Sequence, residues 1–326
     1  MRRCGFRFDA YTFGSLLKGV ACAVRYDVGR QVHCAVVKAG YGSNVYAGSA
    51  VLDMYAKCGR VGDACEVFES LPRRNAVSWN ALIAGYVQCG DRRAVFRLLK
   101  GMEQEGVQME DGTIAPVLTL LDGAEFNESL VQVHCKIIKH GLDCENTVCN
   151  AMITSYAECG SIEEAARVFD GSFGKRDLVT WNSMLAAYLL HKKEQLACKL
   201  FLDMQRLGFE PDIYSYTSII SAYSEGMHKN HGRTFHGLII KRGLEKSGPI
   251  CNALVAMYLK LHGGSTTDLC FGTMEFKDRV SWNTILTGFS QNGWNEDALR
   301  LFRDMRHGEV EVDRSLCFLS SYSVLF

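Results

Sequence analysis

The chain has 326 residues, 48% of them hydrophobic, and its 36 basic and 36 acidic side chains cancel to a net charge of zero. It is apolar enough to bury a continuous core, and without a net field it has no long-range pull on a polyanion or a membrane surface. No apolar run reaches the roughly 18 residues of a membrane span, and four prolines are few enough to leave helices uninterrupted.

Residues 1–9 match Met204 to Asp212 in methionine, glycine and aspartate, at a place where a helix should be ending. Met1 therefore stands inside a repeat. The sequence reads as a fragment or a truncated gene model, with any targeting peptide upstream of it. From Ala10 the chain divides into nine units: 10–44, 45–75, 76–110, 111–145, 146–177, 178–212, 213–247, 248–278 and 279–313. Residues 314–326 open a tenth. Three markers keep the beat. Val77-Ser78-Trp79-Asn80 returns as Val179-Thr180-Trp181-Asn182 and as Val280-Ser281-Trp282-Asn283. Val32-His33 returns as Val133-His134 and Phe235-His236. Tyr55-Ala56-Lys57-Cys58-Gly59 returns as Tyr156-Ala157-Glu158-Cys159-Gly160, then degraded as Tyr258-Leu259-Lys260. Self-similarity at this spacing marks an array of stacked helical units rather than separate globular cores.

Each unit reads as two helices. In 178–212 the first carries Trp181, Met184, Leu185 and Tyr188 along one stripe, and the second carries Leu196, Ala197, Leu200, Phe201 and Met204. Gly208 closes the second helix, as glycine does just past a helix end. Trp, Tyr and Met on these stripes are expected in the core. Glycines at 263 and 264 weaken the second helix of 248–278, where looseness is expected. The expected fold is all-α, a right-handed superhelical solenoid of helix-turn-helix repeats with about eighteen helices.

Fourteen cysteines form no Cys-x-x-Cys pair. Cys34, Cys58, Cys89, Cys135 and Cys159 keep the repeat register, so they read as small buried apolar residues in a reducing compartment. His307-Gly308-Glu309 has the spacing of a zinc deaminase motif but no Cys-x-x-Cys follows it. No catalysis, metal or cofactor is expected.

These markers, in three classes recurring in fixed order over residues 1–313, resemble the pentatricopeptide repeat proteins of the plant type with alternating long, short and standard repeats. The resemblance implies a protein of mitochondrion or chloroplast that binds single-stranded organellar RNA. It implies a role in cytidine-to-uridine editing-site recognition, or in other RNA modification or processing, with editing cofactors or a deaminase supplied in trans. It also implies that the fifth and last residues of a repeat face one base. The fifth place holds Asn80, Asn182 and Asn283 in standard units, and Asn150, Asn252 and Ser49 in short ones. Their partners in the last place are Glu110, Asp212 and Asp313, and Asp177, Asp278 and Asn75. An amide carries both donor and acceptor and suits a base edge. By resemblance, the Asn-Asp pairs favour uracil, Ser49 with Asn75 favours adenine, and Asn80 with Glu110 a pyrimidine. Gly14 and Ala115 have no side chain able to read a base. Val77, Val179 and Val280 match the apolar residues that sandwich bases. Simpler readings stand beside these: asparagine as a helix cap, aspartate as a turn residue, valine as core. A peptide-binding helical scaffold is the rival function, and a non-functional truncated product a third reading.

Overall fold

The computed structural model describes residues 8–225, 229–261, 264–274 and 277–307. These residues form eighteen α-helices and no strand. The chain falls into two compact bodies that divide between Arg176 and Asp177.

The first body contains α1 (Ala10–Cys22), α2 (Tyr26–Lys38), α3 (Val45–Lys57), α4 (Val61–Ser70), α5 (Ala76–Gln88), α6 (Arg92–Gln104), α7 (Asp111–Leu118), α8 (Asn127–Lys139), α9 (Asn146–Glu158) and α10 (Ile162–Gly171). The odd-numbered helices pack in a row, α1 on α3, α3 on α5, α5 on α7 and α7 on α9, and each even helix lies against the odd helix of its own pair. The second body repeats the plan with α11 (Leu178–Leu190), α12 (Glu194–Arg206), α13 (Ile213–Glu225), α14 (Lys229–Lys241), α15 (Gly248–Lys260), α16 (Gly264–Gly272), α17 (Arg279–Gln291) and α18 (Asn295–His307). There α11, α13, α15 and α17 form the row.

The stripes explain the stacking. Trp181, Met184, Leu185, Ala197, Phe201 and Met204 are buried, so neither helix of that pair could be stable without its neighbour. Leu196, expected on the same stripe, is exposed, whereas its neighbour Ala197 is fully buried, so the stripe enters the core one position later. Gly208 follows α12 with φ of 84°, a left-handed conformation that a side chain would strain. Pro116 lies inside α7, which spans 8 residues against 13 for α5. Its missing N–H forfeits the bond to the carbonyl of Gly112, four residues back, and its ring crowds that carbonyl, which weakens the helix. Gly263 lies outside the described residues. From Gly264 onward α16 is helical and buries Thr267, Cys270 and Phe271.

The cysteine expectation needs correction. Cys159 is buried, but Cys34, Cys89 and Cys135 are exposed and Cys58 is half-buried. Cys58, Cys89 and Cys159 are all C-caps, of which only Cys159 is covered, its thiol donating to the Leu121 carbonyl, and Cys34 and Cys135 lie on outward faces of α2 and α8.

Two of the sequence markers turn out to be partners. His33 Nδ1 meets Tyr55 Oη at 3.0 Å, His134 meets Tyr156 at 2.8 Å, and His236 meets Tyr258 at 2.9 Å. Burial holds all three histidines below their ordinary pKa and pushes the Tyr55 and Tyr156 phenols up to about 12. Carboxylates at Asp63 and Glu164 oppose the effect on His33 and His134 without reversing it. The unfolded chain therefore takes up these protons first. Stability should be full above about pH 6.5 and fall as pH drops below it. Urea midpoints measured from pH 8 to pH 5 check this, and His134→Gln should remove part of the slope, about 1.4 kcal/mol per pH unit for a whole proton.

Candidate functional site

The first helix of each pair carries the residues singled out above. Asn80, Asn150, Asn182, Asn252 and Asn283 lie in the second turn of α5, α9, α11, α15 and α17, half-buried, and Ser49 lies buried in the same turn of α3. They are past the positions where a cap operates, so the cap reading fails for these asparagines.

The caps are the residues of the last place. Asn75, Asp177, Asp212 and Asp278 accept the backbone N–H three residues on, at Ser78, Thr180, Ser215 and Ser281, over 2.9, 2.8, 2.9 and 2.8 Å. The return bond is shared by Glu110, whose N–H donates to Thr113 Oγ1 at 3.1 Å as those of Asn75, Asp177 and Asp212 do to Ser78, Thr180 and Ser215. Asp313 lies outside the described residues. A cap fixes where the next helix begins, and with it how far the last residue stands from the fifth residue of the unit before. This is how two side chains about thirty positions apart arrive together.

In the second body the meeting is complete. Asn182 Nδ2 donates to both oxygens of Asp212, at 3.1 and 3.2 Å. Burial works against the Asp212 charge, but bonds from the Ser215 amide and hydroxyl and from Asn182 outweigh it and hold the carboxyl below the ordinary aspartate range. Asp278 is likewise held low, chiefly by the Ser281 amide and hydroxyl, with a further bond from Asn252. Both are carboxylates at neutral pH. In the first body Ser49 Oγ reaches Asn75 Oδ1 at 3.4 Å. Asn80 is engaged by Thr113 Oγ1 at 2.6 Å instead of by Glu110. Asn150 belongs to the first body and Asp177 to the second.

Val77, Val179 and Val280 are exposed, Val77 at 60%, so the core reading fails for them. The same second place holds Tyr11, Tyr46 and Tyr214, which sequence reading passed over. Tyr11 is 71% exposed and Tyr214 74%, and Tyr11 and Tyr46 stack with centroids 4.9 Å apart. The register that picked out the valines would have found them. Tyr46 also fills the space beside Gly14: a Cβ there would lie 2.6 Å from the Tyr46 ring. A groove of about 480 Å³ in the first body is lined by Tyr46, Ser49, Asn75, Val77 and Asn80, among others. It thus gathers second, fifth and last places in one surface of amides, a hydroxyl and apolar faces.

Cations are few there. Lys18 and Asp53 line the groove, and Lys57 is paired with Asp53 at 2.8 Å. A basic stripe that sequence reading missed lies on the second helices. Arg93, Arg97 and Lys100 of α6 are exposed around Phe96, and Arg92 stacks 4.0 Å over Phe126. Its spacing of four and three was legible as one helical face. Among the described residues no three histidine, cysteine or carboxylate side chains gather where a metal could sit. Glu309 lies outside them.

Comparison with known proteins gives a consistent picture. A family model for pentatricopeptide repeat-containing proteins matches residues 47–172, and two models of the same repeat match 176–225 and 280–309. A putative pentatricopeptide repeat-containing protein of Arabidopsis thaliana is 49% identical over 96% of this chain and 45% of its own length. A chloroplastic and a mitochondrial member from the same plant are 33% and 32% identical, matched over 37% and 31% of their lengths. The chain thus spans less than half of each of these relatives. The pentatricopeptide repeat protein PPR10 in complex with an 18-nt psaJ RNA element shares the fold, with a TM-score of 0.75 at 19% identity, over 95% of this chain and 47% of that one. Maize PPR10 gives a TM-score of 0.61 over 96% of this chain and 51% of that one.

Proposed function

The chain is a pentatricopeptide repeat protein, and from that premise we propose that it is a sequence-specific module for single-stranded RNA, acting by binding and not by catalysis. The observation that carries the reading is the pairing of Asn182 with Asp212, a base-sized polar edge beside the exposed Val179. The groove at Tyr46, Ser49, Asn75, Val77 and Asn80 supports it in the first body. Apolar and aromatic faces at the second place can stack bases, and amides and carboxylates can meet their edges. Tyr11, Tyr46 and Tyr214 then join Val77, Val179 and Val280 as stacking residues. Because relatives bear mitochondrial and chloroplastic names, we place the function in an organelle, and within it in recognition of editing or processing sites on transcripts.

Selection from a randomised RNA pool tests the proposal. Enrichment of one motif is the expected result, and retention of all sequences alike would overturn it. Few free cations line the groove, so stacking and edge contacts should dominate affinity. Single-strand binding loses about 0.7 log units per log of salt for each phosphate neutralised. We expect a slope shallower than about −2, corresponding to two or three phosphates. Arg97→Gln, on the second-helix stripe, should leave that slope unchanged. A steep slope that Arg97→Gln flattens would mean that RNA runs over α6 instead.

A further inference from the structure

We infer that the buried hydroxyl at the third place of the following repeat, Ser215 above all, is a positioning residue that fixes which end of the reading asparagine meets the base. The inference rests on the base-reading proposal and adds a residue to it. Ser215 Oγ donates to Asn182 Oδ1 at 2.6 Å and is also 2.9 Å from Asp212 Oδ1, one hydrogen within reach of two acceptors. Asp212 takes the Nδ2 side of the same amide. A carboxylate only accepts, so the amide nitrogen must face Asp212 and the carbonyl must face the serine. Both ends of Asn182 are thereby pinned, and Ser215 is fully buried, so no solvent molecule stands in for it. The remaining N–H of Asn182 is what a base can use.

The same device occurs at a second place in the chain. Thr113 Oγ1, also buried, donates to Asn80 Oδ1 at 2.6 Å. A third place shows the alternative. Ser281 Oγ is on Asp278 at 2.8 Å, and Asn252 Oδ1 is left buried without a hydrogen-bond partner. The hydroxyl thus has two duties, capping its own helix and pinning the asparagine of the preceding repeat, and repeats differ in whether the second is met.

The consequence is chemical. A pinned asparagine has its carbonyl turned to the hydroxyl and presents its N–H to the base. It suits the ring carbonyl of uracil and opposes the amino group that cytosine carries at that place. Where the hydroxyl is engaged elsewhere, as at Asn252, the carboxylate alone holds the amide, through its nitrogen, and the amide is less firmly oriented towards the base. Asn182 should therefore discriminate uracil from cytosine more sharply than Asn252 does.

The experiment measures the full chain on RNAs differing only at the base facing the 178–212 repeat, with wild type, Ser215→Thr and Ser215→Val. Threonine keeps the hydroxyl and valine keeps threonine's shape without it. Ser215→Thr should retain the uracil-to-cytosine ratio, and Ser215→Val should lower it about three- to tenfold, the worth of one hydrogen bond. Discrimination at the 279–313 repeat serves as an internal control and should not move. A ratio kept by Ser215→Val, with only the melting temperature lowered, overturns the inference and leaves the reading pair standing. A wild type with no preference at that base overturns the reading pair itself, and the inference with it. Should Ser215→Val fail to fold, Thr113→Val poses the same question at Asn80: flattened base preference supports the inference and unchanged preference overturns it.

Discussion

Replacing Asp212 by asparagine should shift the base preference of the 178–212 repeat from uracil towards cytosine while leaving α13 capped. Asparagine at the cap is tolerated because the chain already uses it: Asn75 caps α5 through Ser78 as Asp212 caps α13 through Ser215. Stability should therefore fall only modestly, by about 1 kcal/mol, as a neutral amide replaces the charged acceptor of the Ser215 and Asn182 bonds. What changes is the edge presented to the base. Uracil carries a ring N–H where cytosine carries an acceptor. A carboxylate can only accept, so it favours uracil, directly or through water, whereas an amide can donate to cytosine. The Asp212 carboxyl is held below its ordinary pKa, so it is ionised throughout the range in which binding would be measured. A base-edge contact of good geometry discriminates by about 1–3 kcal/mol. Paired RNAs differing at one position, titrated against wild type and Asp212→Asn, give the answer. Equal discrimination by the two proteins would reduce Asp212 to a cap. Asn182→Ala should weaken binding to both RNAs and flatten their difference. If it lowers only thermal stability, Asn182 belongs to the core and not to the site.

Trp181→Ala should cost about 3–5 kcal/mol of stability, the range for removing a buried large aromatic side chain. The ring is 1% exposed and lies 5.5 Å from Phe209, between the first helix of its pair and the link that follows the second. Its neighbour two residues earlier sets the contrast. Val179, on the same turn, is exposed, and Val179→Ala should alter stability by less than about 0.5 kcal/mol. Under the proposed function RNA affinity should respond in the opposite order, since Val179 is exposed beside the Asn182–Asp212 pair and Trp181 is buried. Denaturant melts and binding isotherms on both variants separate the roles. Equal loss of stability from both would return Val179 to the core. The Trp79 and Trp282 positions show why the tryptophan recurs. Trp79 meets Phe68 edge-on at 4.7 Å, and Trp282 meets Phe271 at 4.8 Å. In each case the ring locks the first helix of a pair onto the second helix of the pair before it.

The helical array was written in the sequence, because the apolar stripes of each pair are local patterns and the recurring Trp-Asn openings repeat them in register. The asparagines of the fifth place were visible for the same reason: Asn80, Asn182 and Asn283 stand at one fixed distance from a recurring tryptophan. Three features were decided only by the tertiary structure. Whether Val179 faced the core or solvent depends on which side of α11 its neighbours cover, and the stripe alone left a helix-start valine undetermined. His33 and Tyr55 are separate markers in the chain, and only the packing of α2 on α3 makes them one hydrogen bond. The part played by Ser215 was hidden most deeply. Its spacing from Asp212 announces a helix cap, a contact made within three residues. Its second bond, to Asn182 thirty-three positions away, exists only because stacking brings the start of one repeat against the second turn of the last.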